Sequence, residues 1–182
     1  QLGKKYIAGI KFDGLYLLLG GDIFSGNIHE ELKETNECTI IESVLFWTPY
    51  LVSGIKHLAD NFGNVHILCV VVNHGRLSRK PPAKNRVQDN FDFLFYNMLA
   101  MQLKNDERIT WDSSASPDTT FKQHDTRFCL THGDQFHGGN GISGAILPWK
   151  LGDHRKRKKS QAIGKPYDIL VFGHWHTLTL GV

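Results

Sequence analysis

Four short polar clusters hold the residue types that could do chemistry. They are Gly-Gly-Asp at 20–22, Asn-His-Gly-Arg at 73–76, Thr-His-Gly-Asp at 131–134 and Gly-His-Trp-His at 173–176. Carboxylate, amide oxygen and imidazole together suit Mn²⁺, Fe or Zn²⁺ better than they suit a soft, thiolate-binding metal. The glycines allow the backbone to turn sharply and to approach a ligand closely. The clusters therefore predict a site for divalent cations.

The spacing of His174 and His176 supports this prediction. Residues i and i+2 of an extended segment point the same way, with Cα atoms about 6.5–7 Å apart. Two imidazoles so placed can reach two metal ions about 3.5–4 Å apart, the separation found in two-metal hydrolases. Such a pair of ions polarises a phosphoryl group and produces a hydroxide nucleophile at neutral pH.

Each cluster taken alone also has a simpler explanation. Gly-Asp after a strand is usually a turn, and Asn-His-Gly-Arg can be a turn that uses left-handed backbone positions. His132 by itself is more often a hydrogen-bonded loop histidine. The four clusters together, in this order and each at a strand end, favour a common site.

The surrounding pattern predicts the elements that carry these clusters. Apolar runs at 15–19, 65–72 and 168–172 are typical of buried strands, and 120–131 of one or two strands around a turn near Asp125. The helical segments are expected at 27–30 with Asn27 as N-cap, at 40–59 with Pro49 splitting or kinking the helix, and at 87–104. Alternating strands and helices predict an α/β chain, whose active crevice lies at the carboxyl ends of the strands.

The order Gly-Asp, Asn-His, His-Gly, Gly-His-x-His resembles the calcineurin-like metallophosphoesterase superfamily. Within it, the stretches GGDIFSG, NHGR, THGDQF, GDHRKRKK and GHWH are most similar to phage and bacterial DNA-repair exonuclease-like phosphoesterases. The resemblance covers nearly the whole chain. It implies a layered β-sandwich flanked by helices, with residues 1–182 forming one partial domain that is incomplete at both ends.

The resemblance also implies a set of metal ligands. Asp22 would bridge two metal ions, and Asn73 would bind the second ion through its amide oxygen. His132 and His174 would complete that second site, whereas His176 would belong to the first. The ions would be Mn²⁺ first of all, with Fe, Zn²⁺ or Mg²⁺ as alternatives.

Three further residues receive roles at this site. By the resemblance, His74 would contact the substrate phosphate and protonate the leaving oxygen without binding metal. Arg76, two residues later, could clamp a phosphate or form a surface salt bridge. Asp134 could orient His132 from behind or bind metal itself, and we favour the orienting role.

The chain departs from the family pattern before Asp22, because no Asp-x-His motif precedes it. Gly75 and Val72 stand where the family has an acid and a glycine beside Asn-His. We therefore expect an internal fragment that lacks the Asp-x-His strand and the tail. This stretch alone should bind at most one metal ion tightly and be weakly active or inactive, whereas the full protein should bind two.

Composition restricts the class of protein. The 182 residues are 41% hydrophobic with a net charge of +3, as expected of one globular domain. The sequence contains no run of about 18 consecutive apolar residues, so we expect no membrane span. Three cysteines without a Cys-x-x-Cys pair argue against a disulfide framework. Free thiols in a reducing cytoplasm are the expectation.

Positive charge is concentrated in two segments that we expect to be loops, 76–86 and 150–159. Basic loops beside the site would bind nucleic acid independently of sequence, although they could also be solvated loops without a partner. The candidate nucleic-acid contacts are Arg79, Lys80, Arg155, Lys156, Arg157, Lys158 and Lys159.

Three functions follow from these patterns. The first is a metal-dependent phosphodiesterase, an exonuclease-like DNA nuclease that uses a metal-activated hydroxide. The second is a phosphatase for small molecules or phosphoproteins with the same fold. The third is a non-catalytic, degenerate phosphoesterase domain.

Overall fold

The computed structural model describes residues 12–78, 80, 84–113, 116–137 and 146–176. Six strands and four helices lie in these ranges, and we number them in chain order. They are β1 (Leu15–Leu19), α1 (Glu30–Thr35), α2 (Ile40–Phe62), β2 (Val65–Cys69), α3 (Phe91–Leu103), β3 (Ile109–Ser113), β4 (Asp118–Gln123), β5 (Thr126–Thr131), α4 (Ile146–Ala162) and β6 (Ile169–Val171). The expected α/β composition is confirmed.

The first sheet is parallel, with strand order β1-β2-β3. Leu15 pairs with Val65, and Val65 pairs with Ile109, so the three strands start level. Both faces of β1 and β2 are covered, which is why these two strands are mostly apolar, whereas β3 carries Thr110, Asp112 and Ser113. Alternate residues of β1 and β2 face the helices, and the others face the second sheet.

The second sheet contains β4, β5 and β6, with β4 antiparallel and β6 parallel to β5. The two sheets meet through a small apolar cluster in which Leu68 and Val70 pack with Leu130. Leu18, Phe121 and Val171 extend this cluster at its margin. The carboxyl ends of β1, β2, β5 and β6 are followed by the four polar clusters.

Helices α2 and α3 cover the outer face of the first sheet and enclose the main core. A capping box begins α2, because the Thr39 hydroxyl accepts from the Glu42 N–H while the Glu42 carboxylate accepts from the Thr39 N–H. Pro49 lies inside this single 23-residue helix, so the expected division into two helices is wrong.

Two other local expectations need correction. Helix α1 begins at Glu30 after His29, whose side chain makes no capping hydrogen bond, so Asn27 is not the N-cap. The second basic segment is the helix α4 rather than a loop. Its lysines, arginines and leucines are good helix formers, and the Arg157–Asp153 ion pair spans one helical turn. No helix in the described ranges combines the length and apolarity that crossing a bilayer requires.

Candidate metal centre

The loops after β1 and β2 lie in close contact. Gly21 has φ of +86°, and a Cβ there would fall 1.8 Å from Val72 Cγ1. Gly26 has φ of +69°, and its Cβ would fall 1.9 Å from the His74 carbonyl oxygen. Only glycine fits such contacts in this backbone conformation. Gly21 and Gly26 thus allow the loop that carries Asp22 to lie directly against the loop that carries His74.

The ends of β5 and β6 are tied together beside these loops. The Gly173 N–H donates to the His132 carbonyl oxygen over 2.9 Å, which places His132 next to His174. Asp22, His174 and His176 all adopt left-handed backbone conformations, with φ of 52°, 67° and 50°. Non-glycine residues rarely adopt such angles, and those that do are concentrated at functional sites.

Three of the predicted ligands converge in one group, since ligand atoms of Asp22, His132 and His174 all lie within 4.8 Å of one another. The His132 Nε2 atom is 3.1 Å from Asp22 Oδ2 and 3.0 Å from His174 Nδ1. His132 is buried, and the other two side chains are partly buried. One carboxylate and two imidazoles therefore face a single small space.

A backbone carbonyl fixes the ring of His132. Its Nδ1 lies 2.9 Å from the Gly20 carbonyl oxygen, which can only accept, so Nδ1 carries the proton. This leaves Nε2 as the atom facing Asp22 and His174. The expectation that Asp134 orients His132 is wrong, because the Asp134 carboxylate instead pairs with the Arg86 guanidinium.

The charges of the group are coupled. Burial opposes ionisation of Asp22, but the hydrogen bond to His132 and the charges of His132 and His74 outweigh it and lower the pKa of Asp22. Burial also opposes protonation of His132, but Asp22 outweighs it and raises the pKa of His132. Burial, followed by the charge of His132, lowers the pKa of His174. Without a cation, these shifts favour an ionised Asp22 carboxylate beside a protonated His132.

The other two predicted ligands, Asn73 and His176, are outside the group of three that the described ranges bring together. The Oδ1 atom of Asn73 is buried and has no hydrogen-bond partner, which is rare for a buried amide. The next residue, His74, donates its backbone N–H to Asp22 Oδ1 over 3.3 Å, so Asn73 adjoins the group. His176 is exposed and is not a member of the group formed within the described ranges.

His74 lies beside the group with its ring held in place. Its Nδ1 is 2.7 Å from the Ser25 carbonyl oxygen, so Nδ1 donates there and Nε2 faces elsewhere. The ring centroid of His29 lies 5.6 Å away. His74 is not among the converging ligands, in keeping with a role that is separate from metal binding.

Asp134 lies close to His132 and His174, and Arg76 and Arg86 lie close to Asp134. Burial lowers the pKa of Arg76, and among nearby charges Asp134 opposes the shift while Arg86 adds to it. The Arg76 Nε also donates to the Ser78 carbonyl oxygen over 2.9 Å. Arg86 was not singled out from the sequence, because nothing in a basic run indicates which member will pair with Asp134.

Asp92 is a second residue that sequence reasoning missed. It is the second residue of α3 and has 0% exposure, and neither carboxylate oxygen has a hydrogen-bond partner. Burial raises the pKa of Asp92 to about 7, and the charge of Asp22 adds to that shift. An acid in the first turn of a helix normally indicates only helix stabilisation, so the sequence carried no signal for it.

The predicted nucleic-acid contacts divide into two groups on α4. Lys156 pairs with Asp118 at 2.7 Å, and Arg157 donates to the carbonyl oxygens of Tyr167 and Asp168 over 3.0 and 3.1 Å, so both hold the helix against the protein. Arg155, Lys158 and Lys159 are exposed, as is Lys80 in the other basic segment, whereas Arg79 lies outside the described residues. A groove of about 250 Å³ runs past Arg155 and Lys159 to Gln135 and His137.

No protein-family profile, curated protein or solved structure matches this chain. The chemistry of the site therefore has to be judged from the site itself.

The donor set fits one divalent transition metal. Atoms bound to one ion at about 2.1 Å lie roughly 3.0–3.4 Å from their neighbours, and Nε2 of His132 is 3.0–3.1 Å from the nearest atoms of the other two residues. Imidazole with carboxylate suits Mn²⁺, Fe or Zn²⁺. The donated Nδ1–H of His132 is the outer-shell contact that metal-binding histidines usually make. Asn73 offers a further unsatisfied oxygen beside them.

Proposed function

We propose that this chain carries the metal-binding core of a metal-dependent phosphoesterase that hydrolyses phosphodiester bonds in nucleic acid. The observation that supports it most is the convergence of Asp22, His132 and His174, which come from the ends of three different strands. The resemblance to calcineurin-like metallophosphoesterases implies the same residues as metal ligands. The two facing sheets and the helices on the outer face of the first sheet are compatible with the sandwich of that superfamily.

Each residue of the group has a distinct task in this proposal. Asp22, His132 and His174 would hold a divalent cation, with Asn73 supplying an amide oxygen. A divalent cation supplies Lewis-acid polarisation of a phosphoryl group and increases the acidity of water. The Gly20 carbonyl keeps the His132 lone pair directed into the site.

His74 would handle the leaving-group proton. The Ser25 carbonyl holds the proton on Nδ1, so Nε2 is the ring atom that exchanges a proton with a ligand. A protonated His74 would give the Nε2 proton to the departing oxygen, which is general-acid catalysis. Arg86 and Arg76, next to Asp134, would attract the phosphate group into the site.

Nucleic acid is the preferred substrate because of α4. Arg155, Lys158 and Lys159 are exposed on this helix, and the groove that Arg155 and Lys159 border leads to Gln135 and His137, just after His132 in the chain. Cations in such a position neutralise backbone phosphates without reading the bases. A small-molecule or phosphoprotein phosphatase would not need them.

Hydrolysis assays test the proposal directly. The chain is stripped of metal, supplied with Mn²⁺, and assayed on bis(4-nitrophenyl) phosphate, 4-nitrophenyl phosphate and single-stranded DNA. We expect at most weak Mn²⁺-dependent cleavage of the diesters, because this stretch alone supplies one metal site, and we expect Asp22→Asn to abolish it. Cleavage of the monoester alone would favour the phosphatase, and Mn²⁺ binding without hydrolysis of any substrate would favour the non-catalytic alternative.

A further inference from the structure

Asp92 is an unusual group for a protein interior. Its carboxylate is fully buried, and neither oxygen makes a hydrogen bond of normal geometry with the part of the chain that the structure describes. An isolated buried charge is strongly unfavourable unless an opposite charge or a set of donors compensates it. The first turn of α3 offers the partial positive charge of a helix N-terminus, which compensates a full charge only in part.

The carboxylate lies between the two loops that carry the metal-centre residues. A Cβ on Gly75 would fall 2.8 Å from Asp92 Oδ2 and 2.4 Å from Asn90 Oδ1, so the loop after β2 rests directly on this side chain. The backbone N–H groups of Asp22 and Ile23 face the carboxylate from the other side. Neither of them makes a hydrogen bond of normal distance and angle with it.

Neighbouring side chains at the start of α3 support the loop after β2. Asn90 donates its Nδ2–H to the Val72 carbonyl oxygen over 2.8 Å, just before Asn73. Tyr96, one turn after Asp92 and also buried, donates its hydroxyl to the Val70 carbonyl oxygen over 3.3 Å. The start of α3 thus packs against the loops of the candidate metal centre through Asn90, Asp92 and Tyr96. Asp92 is the acidic residue of these three.

Asp92 is not itself a ligand of the group. The cluster of ligand atoms found within the described ranges contains Asp22, His132 and His174 alone. Any effect of Asp92 on a cation must therefore act through its charge and through the loops that it contacts.

We propose that Asp92 is a positioning residue of the metal centre, whose buried negative charge complements a divalent cation held by Asp22 and the two histidines. The carboxylate also contacts the backbone of the loop that carries Asp22 and so helps to fix the position of that loop. This inference rests on the metal-binding part of the proposed function.

The test compares Asp92→Asn with the wild-type chain by Mn²⁺ titration calorimetry and by urea unfolding of the metal-free protein. We expect Mn²⁺ to bind about 10- to 100-fold more weakly, as for other outer-shell changes. At pH 8.5, above the pKa of Asp92 of about 7, we expect the metal-free variant to be as stable as the wild type or more stable, because an uncompensated buried charge is gone. A residue with a merely structural role would lose stability and affinity together.

Two further variants keep the test decisive. Asp89→Asn removes an exposed carboxylate three residues away and should change neither measurement. Asp92→Leu fills a similar volume without polar atoms and should repeat the loss of affinity, so it decides the matter if Asp92→Asn does not fold. Wild-type Mn²⁺ affinity in the Asp92 variants, or failure of both to fold, overturns the inference. If the wild-type chain binds no Mn²⁺, it is the proposed function that fails.

Discussion

The Nδ1 atom of His132 lies 2.9 Å from the carbonyl oxygen of Gly20, across 112 residues of chain. The contact joins the end of β5 to the loop after β1, and it fixes which ring nitrogen carries the proton. With Nδ1 occupied, Nε2 of His132 is directed at Asp22 Oδ2 and His174 Nδ1. A single backbone hydrogen bond thus directs Nε2 to where a metal ligand would need it.

The first prediction concerns the number of metal ions. Titration of the metal-free chain with Mn²⁺ should show one tight equivalent, because the described residues bring together one group of ligands. His132→Ala should bind at least 10-fold more weakly, since it removes the central ligand. His124→Asn, on the exposed β4–β5 turn, should bind like the wild type. Two tight equivalents would require ligands beyond those assigned here.

The second prediction separates His74 from the metal ligands. His74→Ala should retain Mn²⁺ affinity within a few-fold while the rate on a phosphodiester with a poor leaving group falls about 10²-fold or more. The loss should be smaller on bis(4-nitrophenyl) phosphate, whose leaving group needs little protonation. Equal losses on both substrates would contradict the role of proton donor, and loss of Mn²⁺ binding would make His74 a ligand.

The third prediction concerns the pH dependence of the metal-free protein. The lowered pKa of Asp22 gives stability that is present above about pH 4 and is lost as the pH falls through its folded value. The raised pKa of His132 gives stability that is present below about pH 6.5 and is lost as the pH rises through its folded value. The pair therefore stabilises most between these limits.

His132→Gln tests this window by urea unfolding. The free energy of unfolding should fall by about 1–2 kcal/mol more at pH 5.5 than at pH 8.5, the size of a hydrogen bond to a charged group. His154→Gln, on the exposed face of α4, should show no such difference between the two pH values. A variant whose destabilisation is the same at both pH values would show that the pair is not ionised in the folded protein.

The fourth prediction uses two adjacent glycines as a matched pair. Gly21→Ala should destabilise the protein by roughly 2–4 kcal/mol, because its Cβ would overlap Val72 at a backbone angle that alanine avoids. Gly20→Ala should be almost neutral, since no atom lies within 4 Å of its Cβ position. Denaturant unfolding of both variants checks this contrast, which similar stabilities would contradict.

The fifth prediction concerns the exposed cations of α4. Replacing Arg155, Lys158 and Lys159 by Gln should weaken binding to single-stranded DNA. The slope of log affinity against log salt should become shallower by about 2, at roughly 0.7 per contacted phosphate. Replacing the exposed Lys33, Lys104 and Lys122 should leave the slope unchanged. Equal effects of the two triple variants would show that α4 is not a nucleic-acid surface.

The sequence alone determined the strands and the order in which the polar clusters follow them. Leu15–Leu19 and Val65–Cys69 lie inside the predicted apolar runs because a strand buried on both faces requires apolar residues throughout. Parallel strands end at one edge of a sheet, so clusters that follow them are brought near one another by topology. β1 lies in one sheet and β5 and β6 lie in the other, so the choice of Asp22, His132 and His174 as ligands rested on the resemblance to metallophosphoesterases as well as on their positions after strands.

Only the tertiary structure decided which groups face one another. The basic run of α4 could be solvated or packed, and contacts with Asp118 and with the Tyr167 carbonyl oxygen hold two of its cations against the rest of the protein. Asp134 could serve His132 or another residue, and the presence of Arg86 decided it. In the sequence, Asp92 resembles any acid at the start of a helix, and only the folded chain shows that it is buried. Pairing and burial depend on residues far apart in the chain, and local sequence patterns do not record those distances.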